Sequence, residues 1–171
     1  DTPKRYYLLY KPRGYLSTVV ENEGLSLLRL LPNSEGLFPI GRLDKESEGI
    51  ILVTDDRSLP SRIIGETSHI EKEYEVVLSD PINADTVRRI EKGLILDGIQ
   101  LKPCIVKLLA PTRCLVSIFE GRNRQIRGVF ERVGNYVVQL KRMRIGHLCV
   151  GHMKPGEYQV LTREAIVVYN N

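Results

Sequence analysis

Residues 41–44 read Gly-Arg-Leu-Asp, and the run Gly49-Ile50-Ile51-Leu52-Val53-Thr54 follows closely. A glycine-led turn thus sets an arginine and a carboxylate just ahead of a segment patterned as a buried strand. Side chains on a loop held by a rigid strand are the ones a protein can aim at a substrate. An aspartate, ionised at neutral pH, can serve there as a nucleophile or as a base. The same residues would equally suit a plain surface turn, with Asp44 capping it and Arg42 in solvent.

The rest of the chain narrows the chemistry. His69, His147 and His152 are scattered, and Cys104, Cys114 and Cys149 form no C-x-x-C pair, so no metal site is expected. An odd number of dispersed cysteines points to a reducing compartment, and a cytoplasmic location is expected. There is no Gly-x-Ser-x-Gly elbow, phosphate-cradling glycine loop or dinucleotide fingerprint, so no cofactor is expected either. No apolar stretch approaches the roughly 18 residues of a membrane span. Charge is unevenly placed. Residues 122–144 carry Arg122, Arg124, Arg127, Arg132, Lys141, Arg142 and Arg144 against Glu131 alone. That segment is +6 and the remainder −2, within a total of +4. Basicity confined to one segment is the usual mark of a polyanion partner, although a solvated helix face would look alike.

The elements that must hold these residues can be read from periodicity. Residues 4–10 pattern as a strand ended by Lys11-Pro12-Arg13-Gly14, which is turn chemistry. Residues 26–31 read as a short helix, 49–54 as a central strand and 73–78 as another strand. Asn83 caps a helix running to Lys92 with Gly93 beyond it, and residues 102–109 and 114–120 form a hairpin. Residues 123–133 are the clearest helix, with Ile126, Val129, Phe130 and Val133 on one stripe, Arg127 at its border and Arg124 pointing away. A strand over 136–145 and a helix capped by Thr162 and running to Tyr169 complete the reading. Strands outnumber helices and short turns join them, so the class is α+β with a largely antiparallel mixed sheet and flanking helices. Residues 1–171 read as a single domain, two packed halves being the alternative arrangement.

Four stretches in order, Lys11-Pro12-Arg13-Gly14, Gly41-Arg42-Leu43-Asp44 with Glu48-Gly49, Lys72-Glu73-Tyr74, and Glu120-Gly121-Arg122-Asn123-Arg124-Gln125-Ile126-Arg127, resemble the RsuA-type pseudouridine synthases. The later run Leu140-Lys141-Arg142-Met143-Arg144-Ile145-Gly146 and the ending Lys154-Pro155-Gly156-Glu157-Tyr158 extend the likeness over nearly the whole chain. Two features depart from the family pattern. Nothing here resembles the small S4-like RNA-binding domain with which members usually begin, and Gly128 stands where a second basic residue commonly follows the Gln-Ile-Arg element.

The resemblance implies a central basic cleft in which a uridine of ribosomal RNA is isomerised to pseudouridine without metal or cofactor. It implies Asp44 as the essential carboxylate, Arg127 as its ion-pair partner and Tyr74 as the ring on which the flipped uracil stacks. Arg42 would enter the space the base vacates, Leu140 would pack beneath the uracil, and Lys72, Arg122, Arg124, Lys141 and Arg142 would hold RNA backbone. Flipping is easiest for an unpaired base, so a stem-loop target is expected. The enzyme is also expected to be a monomer. The stretches 38–45 and 71–74 look closer to members acting on the large subunit, which makes 23S RNA the expected substrate. The alternative is a catalytically silent RNA-binding domain of the same fold.

Overall fold

A computed structural model of the chain describes residues 3–20, 24–59 and 69–167. Its centre is β3 (Glu48–Thr54), in which every residue is buried. The reason for its unbroken apolar pattern is that both of its faces are covered. Ile51 and Val53 enter one core with Leu9, Val76 and Phe130, while Ile50 and Leu52 enter a second with Tyr6, Leu8 and Ile145. β1 (Tyr6–Lys11) pairs antiparallel with β3 and alternates between the same two cores.

Around these strands runs a sheet that also includes β2 (Phe38–Ile40), β4 (Lys72–Leu78), β7 (Ile105–Ala110), β8 (Arg113–Ile118), β9 (Val137–Ile145), β10 (Leu148–Cys149) and β11 (Tyr158–Leu161). Its main order is β11-β1-β3-β9-β4-β8-β7, with β2 on β3 and β10 on β9. The pairings are antiparallel except one: β3 meets β9 in parallel, and only at Glu48–Lys141 and Gly49–Arg142. A small hairpin, β5 (Ile95–Leu96) and β6 (Ile99–Gln100), stands apart. The helices are α1 (Ala84–Glu91), α2 (Gln125–Arg132) and α3 (Arg163–Val167). Asn83 caps α1 by accepting from Thr86 N at 2.9 Å, as its sequence position requires.

The α+β class and the mixed, mostly antiparallel sheet agree with the sequence. One predicted helix is shorter than expected. Residues 26–31 hold one 3₁₀ turn, Leu27–Leu30, because Pro32 follows directly. The final helix, with Thr162 Oγ1 accepting from Ala165 N at 3.2 Å, is described to Val167, and its expected end at Tyr169 lies outside the described residues. The short strands β2, β5, β6, β10 and β11 had no sequence pattern long enough to announce them.

The β3–β9 junction explains Gly49. Its φ is +120°, and a Cβ there would stand 2.3 Å from Arg142 O and 2.4 Å from Arg142 N. Gly49→Ala is therefore expected to cost roughly 3 kcal/mol or more, through strained backbone and a collision with a neighbouring main chain. An unchanged thermal midpoint in that variant would show that the two strands can part there without penalty.

Lys11 closes β1 with no exposed surface, its Nζ donating to Pro12 O at 2.9 Å and Tyr15 O at 2.8 Å. Burial pushes its pKa down to about 8, against the pull of Asp44, Glu48 and Glu46. A neutral amine still has two N–H groups for the two carbonyls. The unfolded lysine titrates near its ordinary value of about 10.4, so between there and about 8 the unfolded chain holds more protons and stability rises with pH. Denaturation of the wild type and of Lys11→Met between pH 7 and 10 should show the wild type gaining relative to the variant. Parallel pH curves would contradict this.

Candidate active site

The turn that carries Asp44 is fastened at several points. Leu43 N donates to Ser17 Oγ at 3.1 Å and Ser17 Oγ donates to Leu43 O at 2.8 Å, gripping the backbone one residue ahead. Gly14 N, in the Lys11–Gly14 turn, donates to Lys45 O at 2.7 Å, and Ser47 N closes the turn on Asp44 O at 3.0 Å. Leu43 is buried, so the turn has an apolar root as well. The first motif and the Gly-Arg-Leu-Asp motif thus form one built unit.

The turn faces an open cleft of about 700 Å³ including its mouth, lined by Arg42, Asp44, Ser47, Lys72, Tyr74, Arg122, Arg124, Leu140 and Arg142 among others. Tyr74 and Leu140, 8% and 6% exposed, supply an apolar floor. Tyr74 reaches it because of a bulge: Glu73 pairs with Arg144 but Tyr74 pairs with Arg142, so the ladder skips Met143. Bulges of this kind re-aim side chains beside functional sites. Lys72 and Arg142 are also buried in the wall, Arg142 through Nε donating to Ile50 O at 2.9 Å. Arg42, Arg122 and Arg124 remain exposed.

Opposite the turn lies the start of α2. The buried carboxylate of Glu120 accepts from Lys102 N at 2.8 Å, Arg122 Nε at 3.1 Å and Gln125 Nε2 at 3.2 Å, which fixes the loop before the helix. Arg124 precedes α2 with left-handed backbone, φ 52° and ψ 31°, and no side-chain cap. Its Nη1 stands 3.0 Å from Asp44 Oδ2 and 3.5 Å from Glu46 Oε1. Arg127, one turn into the helix, donates through Nη2 to Ser47 Oγ at 3.0 Å. Its Nε is 3.9 Å from the same Asp44 Oδ2 and is buried without a hydrogen-bond partner.

The expected Arg127–Asp44 ion pair is present at 3.9 Å, and a second, closer partner joins it. The hydrogen bond to Asp44 comes from Arg124, which the helical stripe turned outward, and Arg127 lies beneath at longer range. The cause is the left-handed residue at the helix start, which turns Arg124 across the cleft and is not visible in a periodicity. Lys141 is a second difference. Its ammonium sits 5.2 Å from the centre of the Tyr10 ring and it does not line the cleft. Ser47, Ser17 and Glu46 escaped the sequence reading, since lone serines and an exposed glutamate carry no spacing signal. Gly128 also gains a reason: a methyl group there would stand 2.9 Å from Leu96 Cδ2, so the β5–β6 hairpin packs on the helix where a larger residue would sit.

Comparison with known proteins agrees with this geometry. A family described as RNA pseudouridylate synthase matches residues 5–132. The ribosomal small subunit pseudouridine synthase A of Escherichia coli is 37% identical over 167 residues, covering 95% of this chain and 72% of that protein. The dual-specificity RNA pseudouridine synthase RluF of the same organism is 35% identical, over 93% of this chain and 55% of that one. A crystal structure of a pseudouridylate synthase superposes with a TM-score of 0.88 at 30% identity, over 98% of this chain and 74% of that one. The cleft, its ordered motifs and these matches converge: the chain is an RNA pseudouridine synthase, a member of the RNA pseudouridylate synthase family in its RsuA-type branch.

Proposed function

We propose that the chain converts one uridine of ribosomal RNA to pseudouridine with Asp44 as the essential carboxylate. The observation that carries this reading is the convergence of Asp44, Arg124 and the Tyr74–Leu140 floor in one cleft, with the buried Arg127 3.9 Å from the same Asp44 oxygen. A flipped uracil lies on Tyr74 and Leu140, which places its ribose under Asp44. The N1–C1′ bond breaks, the uracil turns, and C5 bonds to C1′. The C5 proton leaves and N1 takes one up, so no electrons and no water are consumed. Asp44 acts on the ribose, either by attack at C1′ or by removing the C2′ proton.

The arginines hold the Asp44 carboxylate in place and aimed. Arg42, Arg122 and Arg124, being exposed, meet RNA phosphates, with Arg42 placed to enter the gap the base leaves. Lys72 and Arg142, buried in the wall, face the nucleotide that enters. Lys141 lies off this RNA face.

For the substrate, we propose a stem-loop of the small-subunit RNA. The support is the 37% identity to a small-subunit enzyme over 95% of the chain. The stretches 38–45 and 71–74 favour the large subunit instead, and the test below separates the two.

Asp44→Asn should lower tritium release from RNA carrying 5-tritiated uridine by more than about 10³-fold while retaining RNA binding. Activity within tenfold of wild type would remove Asp44 from the mechanism. In cells lacking the protein, pseudouridine mapping by carbodiimide-blocked reverse transcription should lose one site from 16S RNA. Loss from 23S RNA would assign the enzyme to the large subunit.

A further inference from the structure

Glu46 has no part in the chemistry above, yet it is tied to it. Arg124 Nη1 touches both Asp44 Oδ2 at 3.0 Å and Glu46 Oε1 at 3.5 Å, while its other donors have no protein partner among the described residues. Glu46 is exposed and does not line the cleft; it stands at the rim. An RNA strand delivering a flipped nucleotide must carry a phosphate past that rim, and carboxylate and phosphate oxygens accept from a guanidinium in the same way. The main chain of Arg124 is fixed, its carbonyl accepting from Gly128 N at 2.9 Å, so only the side chain need adjust. The carboxyl of Glu46 is kept charged, below its ordinary range, first by its own backbone N–H and then by Arg124 and Arg127, against the opposing effect of burial.

We infer that Glu46 is an internal stand-in for an RNA backbone phosphate, occupying the phosphate site of Arg124 until the substrate displaces it. Arg124 keeps its contact with Asp44 throughout, so the guanidinium exchanges one anion for another and stays neutralised. Glu46 goes to water and the phosphate takes its place. Arg124 is thereby a positioning residue that links phosphate occupancy at the rim to the aim of the carboxylate below. This rests on the reading of Asp44 given above, and it makes an exposed acid in an RNA face a selector: only a strand that seats a phosphate on Arg124 displaces it.

The test is a double-mutant cycle on RNA affinity, using the whole chain and transcribed 16S and 23S RNA in filter binding at low and high salt. Glu46→Gln should tighten binding about fivefold at low salt, the scale of one exposed ion pair, with less gain at high salt. In an Arg124→Ala background the gain should vanish, and Arg124→Lys should restore part of it. Thermal melts confirm that each variant is folded. An equal gain with and without Arg124 would mean that Glu46 merely repels RNA, and no gain in either would mean that it has no role. Both outcomes overturn the inference. Neither bears on Asp44, whose failure would appear in tritium release and not in affinity.

Discussion

The close approach of two main chains at Gly49 and Arg142 is the constraint on which the site depends. β3 begins directly after the turn that bears Asp44, and β9 carries Leu140 and Arg142 on the floor and wall of the cleft. Their parallel contact is confined to Glu48–Lys141 and Gly49–Arg142, so there is little ladder to absorb a misfit. Any side chain at position 49 would force the strands apart and lift the carboxylate from its floor. Precision in the active site is bought here by the absence of a side chain.

Charge is arranged with similar economy. One aspartate oxygen is shared by two arginines, of which Arg124 is reachable from solvent and Arg127 is buried. Exposed pairs are weak and exchangeable, whereas a buried guanidinium with an unused N–H is a standing attraction for a nearby carboxylate. The outer arginine thus suits contact with an incoming polyanion, and the inner one suits a fixed hold on the turn through Ser47.

How much of this could be read from sequence follows from how local each feature is. Asp44, Tyr74 and the basic approach to α2 were legible because they sit in ordered motifs flanked by clear strand and helix patterns. The outward direction of Arg124 and the border position of Arg127 come from a helical wheel, which assumes that the residue before the helix continues its geometry. The left-handed backbone of Arg124 breaks that assumption. Lys141 was grouped with its neighbours by charge, but strand alternation sends it to Tyr10. The bulge beside Tyr74, the serines that grip the Asp44 turn and the short strands arise from long-range pairing, and a local pattern carries no record of them.

The burial of β3 has a consequence for motion. A strand that feeds both cores cannot open without breaching both, so its amides should exchange with solvent only through near-global unfolding. The Asp44 turn is spliced to the N-terminal end of that strand and stapled to Ser17 and Gly14. Its fluctuations are therefore bounded by the most protected part of the molecule. The Asp44 carboxylate thus rests on a stiff support, while Arg42, Arg122 and Arg124 around it stand exposed with their side chains free to adjust.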